Sequence, residues 1–226
     1  MRRCQVLNLG LVEYGKTWEI QKDLFHARSL DRVIDTLLLL QHPLTYTFGR
    51  RSQPGQPVFD EEGPDGPAIY RVDRGGGATC HGPGQIVGYP IIGLKDYTTD
   101  LHAYLRMLEE VMMGALKDFQ IESQRLKGYT GVWMEGEKIG SIGVRVIRGV
   151  TMHGFSLNVN NDLAPFDKIV PCNIRGVRMT SMSRILRTEL IMSEVEEGVT
   201  DHFARVFDVI MERVSNSSER QNFTVG

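Results

Sequence analysis

The sequence predicts an α+β fold, a mixed β-sheet with helices packed against it. Three observations carry the prediction. Helical periodicity is confined to three separated segments, strand-like runs fill the gaps between them, and no internal repeat is present. At 226 residues the chain is long enough to bury a substantial core. The expected organisation is one domain over residues 1–214 followed by a polar tail, 215–226.

The N-terminal MRRCQVLNLGLVEYGKTW has basic residues, but its apolar stretch is short and broken by Gln5, Asn8 and Glu13. It reads as a first strand, not a signal peptide. Residues 14–28 read as a helix, with Tyr14, Trp18, Gln21, Leu24, Phe25 and Arg28 at helical spacing. TLLLLQHP (36–43) is a short apolar run closed by proline and predicts a buried strand. Residues 50–67, with Pro54, Pro57, Pro64 and Pro67 among glycines, read as a loop.

A glycine-rich stretch, RVDRGGGATCHGPGQIVGYPI (71–91), comes next and ends like a strand. The longest helical pattern spans 100–119, with Leu101, Leu105, Leu108, Met112, Ala115 and Phe119 on one stripe and Thr99 or Asp100 as its cap. TGVWM, the turn EGEK and the run IGSIGVRVIRGVTMHGFSLNVN predict a hairpin followed by a further strand. Residues 192–214 read as a last helix. Ser193 and Glu196 suggest a capping box there, and Val195, Val199, Phe203, Val206, Ile210 and Val214 a buried stripe.

Net charge is −2, without the basic excess a nucleic-acid partner would call for. No apolar run is long enough to cross a bilayer. Three cysteines, an odd number, give no disulfide framework. The expected compartment is a reducing cytoplasm.

Four features bear on chemistry. Glycine tolerates positive φ and lets a ligand approach the backbone closely. A strand and not a helix follows the 74–81 run, which argues against a Rossmann turn or P-loop and favours a pocket or tunnel wall. Cys172 sits in FDKIVPCNIRGV, a polar segment with Arg175 and Arg178 downstream, where a cationic neighbour would raise its thiolate fraction. Lys138, in EGEKIGSIGVRV, adjoins small residues on a strand as if room were being made for something. His81 and His153 each precede glycine, but no C-x-x-C or H-x-x-x-H spacing supports a zinc site, and no cofactor or metal is expected. His26, His42, His102 and His202 read as structural.

Taken in order, HPLTYTFGR, DRGGGATCHGPGQIVGYPI, TGVW, KIGSIGVRV, TMHGFSLNVN and FDKIVPC resemble the lipoyl(octanoyl) transferase family over residues 5–212. The resemblance implies the fold of biotin and lipoate protein ligase catalytic domains, an α/β sandwich around a mixed sheet. It places the acyl-accepting cysteine, which carries a thioester intermediate, on Cys172. The lysine that lowers that cysteine's pKa falls on Lys138. Substrate-contacting segments fall on Arg74, Gly75, Gly76, Gly77, Ala78, Thr79, Cys80 and His81, on Ser141, Ile142 and Gly143, and on Gly154, Phe155 and Ser156.

The implied reaction moves an octanoyl or lipoyl group from acyl carrier protein to a lysine of lipoyl domains, in 2-oxoacid dehydrogenase E2 subunits and the glycine cleavage H protein. Backbone N–H groups of 141–143 or 154–156 would serve as the oxyanion hole. Lys138 would act as an ammonium beside the thiolate or as a proton shuttle. Some of Arg50, Arg51, Arg145, Arg148, Arg175 and Arg178 would face the acidic carrier. This chain departs from the family at Cys80, usually tyrosine, and at Gly77-Ala78, usually bulkier, so a wider acyl pocket is expected. The alternatives are an ATP-dependent lipoate or biotin ligase of the same fold and a non-catalytic acyl-binding protein.

Overall fold

The computed structural model describes residues 1–52, 66–174 and 176–213. Most of the proline-rich loop, Arg175, Val214 and the polar tail lie outside the described residues. The expected first strand is β1 (Arg2–Leu11), and the first helix is α1 (Tyr14–Ser29). The apolar run forms β2 (Asp35–Gln41), followed by β3 (Thr45–Phe48), β4 (Ala68–Arg71) and β5 (Ala78–His81). Then come β6 (Gln85–Ile91), α2 (Leu101–Asp118), β7 (Val132–Met134), β8 (Glu137–Ile147) and β9 (Val150–Asn158). Short α3 (Met182–Leu186), α4 (Met192–Phe207) and β10 (Val209–Arg213) complete the described order.

Seven strands form one mixed sheet in the order β10-β1-β2-β6-β9-β8-β7, and β4-β3-β5 form a second. β1 runs parallel to both β2 and β10, and the pairs from β2 through β7 are antiparallel. β2 shows why its sequence lacks alternation. Leu37 and Leu39 pack toward the α2 and α4 side, Leu38 and Leu40 toward Leu24 and Phe25 of α1, and all four are buried. A strand covered on both faces needs apolar residues at every position. A third, smaller cluster under the three-stranded sheet joins Tyr46, Phe48, Ala78, Cys80, Phe166, Ile169 and Met179. Among the described residues, no helix is long and apolar enough to cross a membrane.

The cap of α2 is Asp100, whose carboxylate accepts the His102 N–H at 2.9 Å. The hairpin turn places Glu135 and Gly136 at φ 48° and 82°, the two positive values of a type I′ turn. Arg148 and Gly149 repeat that geometry between β8 and β9, at φ 50° and 80°.

The C-terminal helix differs from expectation in two ways. It stops at Phe207, because Asp208 turns left-handed at φ 52° and its N–H closes on Ala204 O. Val209–Arg213 then pair in parallel with Arg2–Val6 as a strand. β-Branched Val209 and Ile210 suit either state locally, and the open edge of β1 decides between them. Ile210, expected on a buried stripe, is exposed, whereas Phe207 is buried and stacks on Phe203 with ring centroids 4.2 Å apart. The capping box does not form either. Ile191 is the N-cap, Ser193 lies inside the first turn, and Glu196 accepts instead from Asn8 on β1.

Candidate active site

Lys138 and Cys172 are separated by 34 positions, yet Lys138 Nζ lies 3.4 Å from Cys172 Sγ. Local backbone bonds bring this about. Lys138 N donates to Arg178 O at 2.8 Å and Thr180 N donates to Lys138 O at 3.0 Å, so the segment after Cys172 is tied to the start of β8. Cys172 N donates to Ala78 O at 2.8 Å, tying the cysteine to the first residue of β5. Between these ties the chain turns sharply, with Cys172 at φ 56° and Asn173 at φ 60°. Left-handed non-glycine residues cost roughly 1–2 kcal/mol each and persist where the surroundings over-determine them.

Lys138 is 1% exposed. Its ammonium is held by Thr130 O at 2.9 Å and lies 5.1 Å from the centre of the Trp133 ring. Gly131 makes room for it: a Cβ there would stand 2.8 Å from Lys138 Cε, on a backbone at φ 120°. The glycine loop is fitted as closely. A Cβ on Gly77 would fall 2.2 Å from Asn173 Oδ1, so a larger residue would displace the Asn173 side chain beside the thiol.

Lys138 and Cys172 open onto a cavity of about 430 Å³. Arg74, Gly75, Gly76 and Gly77 form one wall, and Thr79 and His81 of β5 continue it. Ser141, Ile142 and Gly143 of β8 and Gly154, Phe155 and Ser156 of β9 form another. These are twelve of the fourteen residues expected to contact substrate. Ala78 and Cys80 differ: strand alternation turns them to the other face of β5, into the third apolar cluster. Cys80 therefore does not widen the cavity, and burial pushes its thiol up to about 12. Ala78 contributes through its backbone, as the acceptor for Cys172 N. Arg74 is an anchor as well as a wall. Its guanidinium donates to Thr47 O at 2.7 Å, to Thr47 Oγ1 at 2.8 Å and to Gly75 O at 3.0 Å, while Gly75 N donates to Val144 O at 2.9 Å.

Phe155 and Ser156 lie between β6 and β8 and pair with both, which commits their N–H groups to the sheet. Ser141–Gly143 pair on one side only, with β9, and they remain the better placed of the two expected oxyanion segments.

Sequence reasoning missed the inner end of the cavity. Tyr14 and Tyr89 line it beside His81 and His153, with His42 directly behind. Tyr89 stands in the same glycine-rich stretch, and its place on a strand among apolar neighbours was the available signal. Burial drives these imidazoles neutral: His42 falls to about 4 and His153 to about 3, with the charges of Arg74 and Arg145 adding to the latter. His81 is held well below its ordinary value by burial and then by His42. Burial also raises Tyr14, to about 12, and Tyr89. His153 is left-handed at φ 57° within β9 and donates its N–H to Gln21 Oε1 at 2.8 Å. Its ring bonds Asp73 Oδ1 at 2.8 Å, and Asp73 also pairs with Arg145. Among the described residues no group of three His, Cys, Asp or Glu side chains is placed to hold a metal ion.

A buried lysine stands against a thiol at the wall of a cavity lined by a glycine loop, and such a pair can do nucleophilic chemistry at sulfur. Residues 13–204 match the family model described as the lipoyl protein ligase A/B catalytic domain. The chain is 44% identical over 214 residues to an octanoyltransferase of Roseiflexus sp. (strain RS-1), covering 92% of this chain and 89% of that one. An octanoyltransferase of Rubrobacter xylanophilus is 45% identical over 201 residues, covering 87% and 90%. The chain belongs to the lipoyl protein ligase A/B catalytic-domain family, among its octanoyltransferases.

The solved structures it resembles carry the same fold at low identity. A putative lipoate protein ligase from T. acidophilum with bound lipoic acid superposes with a TM-score of 0.76 at 12% identity, covering 98% of this chain and 92% of that one. The biotin protein ligase of Aquifex aeolicus gives 0.54 at 14%, covering 92% and 71%. The biotin and lipoate ligase fold implied by the sequence motifs is thus the fold of this octanoyltransferase-family chain, which shares it with those ligases at low identity.

Proposed function

We propose that this enzyme transfers an octanoyl group from the phosphopantetheine thioester of acyl carrier protein to a lysine of a lipoyl domain, through a thioester on Cys172. The Cys172 thiolate attacks the donor carbonyl. The new C–S bond forms as the carrier's C–S bond breaks, and the phosphopantetheine sulfur leaves and takes a proton. The acceptor lysine, as a neutral amine, then attacks the Cys172 thioester. An amide forms, the Cys172 sulfur is released as the thiolate beside the Lys138 ammonium, and the amine proton passes to water. Thioester exchange is close to neutral in free energy and amide formation drives the second step, so no ATP is required.

The observation that carries this reading is the 3.4 Å separation of Lys138 Nζ and Cys172 Sγ at the cavity wall. The ammonium stands where negative charge develops on sulfur in both steps. Ser141–Gly143 are the proposed donors to the carbonyl oxygen. Exposed Arg50, Arg51 and Arg148 are available to an acidic carrier, with Arg51 at the cavity itself, whereas Arg145 is already committed to Asp73. Lipoyl domains of E2 subunits and the H protein are the proposed acceptors. A working free thiol suits a reducing cytoplasm.

Intact mass after incubation with octanoyl carrier protein tests the reading. Wild type and Cys80→Ser should gain one octanoyl group, and Cys172→Ser should gain none. A full-level adduct on Cys172→Ser would overturn the assignment. Pyrophosphate release from ATP plus octanoate would move the chain to the ligase class.

A further inference from the structure

The cavity runs from an open mouth to a closed, polar end. Tyr129 and Leu101 at the mouth are 43% and 44% exposed, whereas Tyr14, Tyr89 and His81 at the inner end are 2%, 4% and 6% exposed. β5 supplies a ruler between the two. Its first residue, Ala78, holds Cys172 through a backbone bond, and its last, His81, reaches the inner end. Three strand steps cover about 10 Å. An extended carbon chain advances about 1.2 Å per bond, a third of the extended residue spacing, so an eight-carbon acyl group reaches about 8 Å.

The inner end is a network whose members bond one another. His42 Nδ1 meets the Val12 carbonyl at 2.6 Å and therefore carries the proton there, which leaves Nε2 to accept the Tyr89 O–H at 2.8 Å. His81 Nδ1 donates to Gln85 Oε1 at 2.8 Å, an oxygen fixed in place because Gln85 Nε2 donates to Cys80 O and Asn158 Oδ1. Tyr14 stacks on the His81 ring, with centroids 5.9 Å apart and planes 25° apart, and lies 5.0 Å from the His42 ring. These rings are neutral and buried, and the Arg74 guanidinium that acts on them is already bonded to Thr47 and to Gly75 O. The ring faces will meet a methyl end, but the hydrogen bonds of the network will not open for further carbons.

Resting on the octanoyl-transfer reading, we propose that Tyr14, His81 and Tyr89, braced by His42, are the floor of the acyl channel and set the donor chain length at eight carbons. A longer acyl group displaces a ring from this network and leaves a buried polar atom without a partner. Discrimination in such pockets runs at about tenfold or more per misfitted increment.

The test uses the full chain with hexanoyl, octanoyl, decanoyl and dodecanoyl carrier protein and follows the rate of adduct formation on Cys172 by intact mass. Wild type should load octanoyl at least about tenfold faster than dodecanoyl. Tyr14→Ala, which removes one ring of the floor, should bring the two within roughly threefold, and Tyr14→Phe, which keeps the ring, should restore the wild-type profile. Equal loading of octanoyl and dodecanoyl by wild type overturns the proposal, as does an unchanged profile in folded Tyr14→Ala. Where Tyr14→Ala does not fold, Tyr14→Leu, which removes the ring but keeps an apolar side chain, makes the same comparison, and an unchanged profile in folded Tyr14→Leu equally overturns the proposal. Absence of any adduct from any donor would instead overturn the transferase reading on which the floor depends.

Discussion

Replacing Lys138 by methionine keeps an unbranched side chain of similar length and removes the charge. At 3.4 Å and an effective dielectric near 20, the ammonium and a full negative charge on sulfur attract by about 5 kcal/mol. That is a ceiling, because Cys172 is only half-buried and solvent takes up part of the lost stabilisation. Acylation of Cys172 should therefore slow by on the order of 10²- to 10³-fold, in the range of a removed acid–base or electrostatic partner. The Thr130 carbonyl also loses its donor, which lowers stability by about 1–3 kcal/mol if water does not replace it. Single-turnover loading from saturating octanoyl carrier protein, read by intact mass, isolates the chemical step, and a thermal melt reports the structural cost. Iodoacetamide alkylation without donor should slow in parallel, since it needs the same thiolate. A folded Lys138→Met enzyme that loads Cys172 within a few-fold of wild type would refute the electrostatic role.

Asp208 ends α4 at φ 52°, so Asp208→Gly should raise stability by about 0.5–1 kcal/mol, seen as a higher denaturant midpoint at unchanged slope; a lowered midpoint would contradict the account of why the helix stops. Stability should also fall on mild acidification. Unfolded histidines take up protons near pH 6.5, whereas folded His42 and His153 do so only near 4 and 3, so the unfolded state binds more protons as pH drops from 6.5 through this range. Each should cost about 1.4 kcal/mol per pH unit at most, and denaturant curves at pH 7.5 and 5.0 that coincide would refute the neutral burial of these rings.

What could be read from the sequence was whatever depends on short-range pattern. α1, α2 and the β7–β8 hairpin announce themselves through periodicity, an aspartate cap and a glycine turn. The apolar run of β2 announces burial but not the two faces it separates. β10 was illegible because Ile210 continues a helical stripe on paper, and only the unpaired edge of β1, far away in sequence, gives Val209–Arg213 a better partner. In the site, Cys172 and Lys138 were identified through motif resemblance, since nothing local brings a loop cysteine to a strand lysine. Ala78 and Cys80 were misread as cavity wall because a motif does not state which face of a strand each residue takes. The Tyr14 and Tyr89 floor was missed because those rings assemble from α1 and β6, and His42 was set aside as structural although it braces them.

β10 is laid against β1, so the flank of the large sheet is closed by a segment that leaves the ribosome long after the strand it covers. Throughout synthesis β1 therefore presents bare amides and carbonyls on its outer side, a template for stray chains as well as for its own partner. Growth of the polypeptide toward its C-terminus is, for this protein, also the step that covers the outer side of β1.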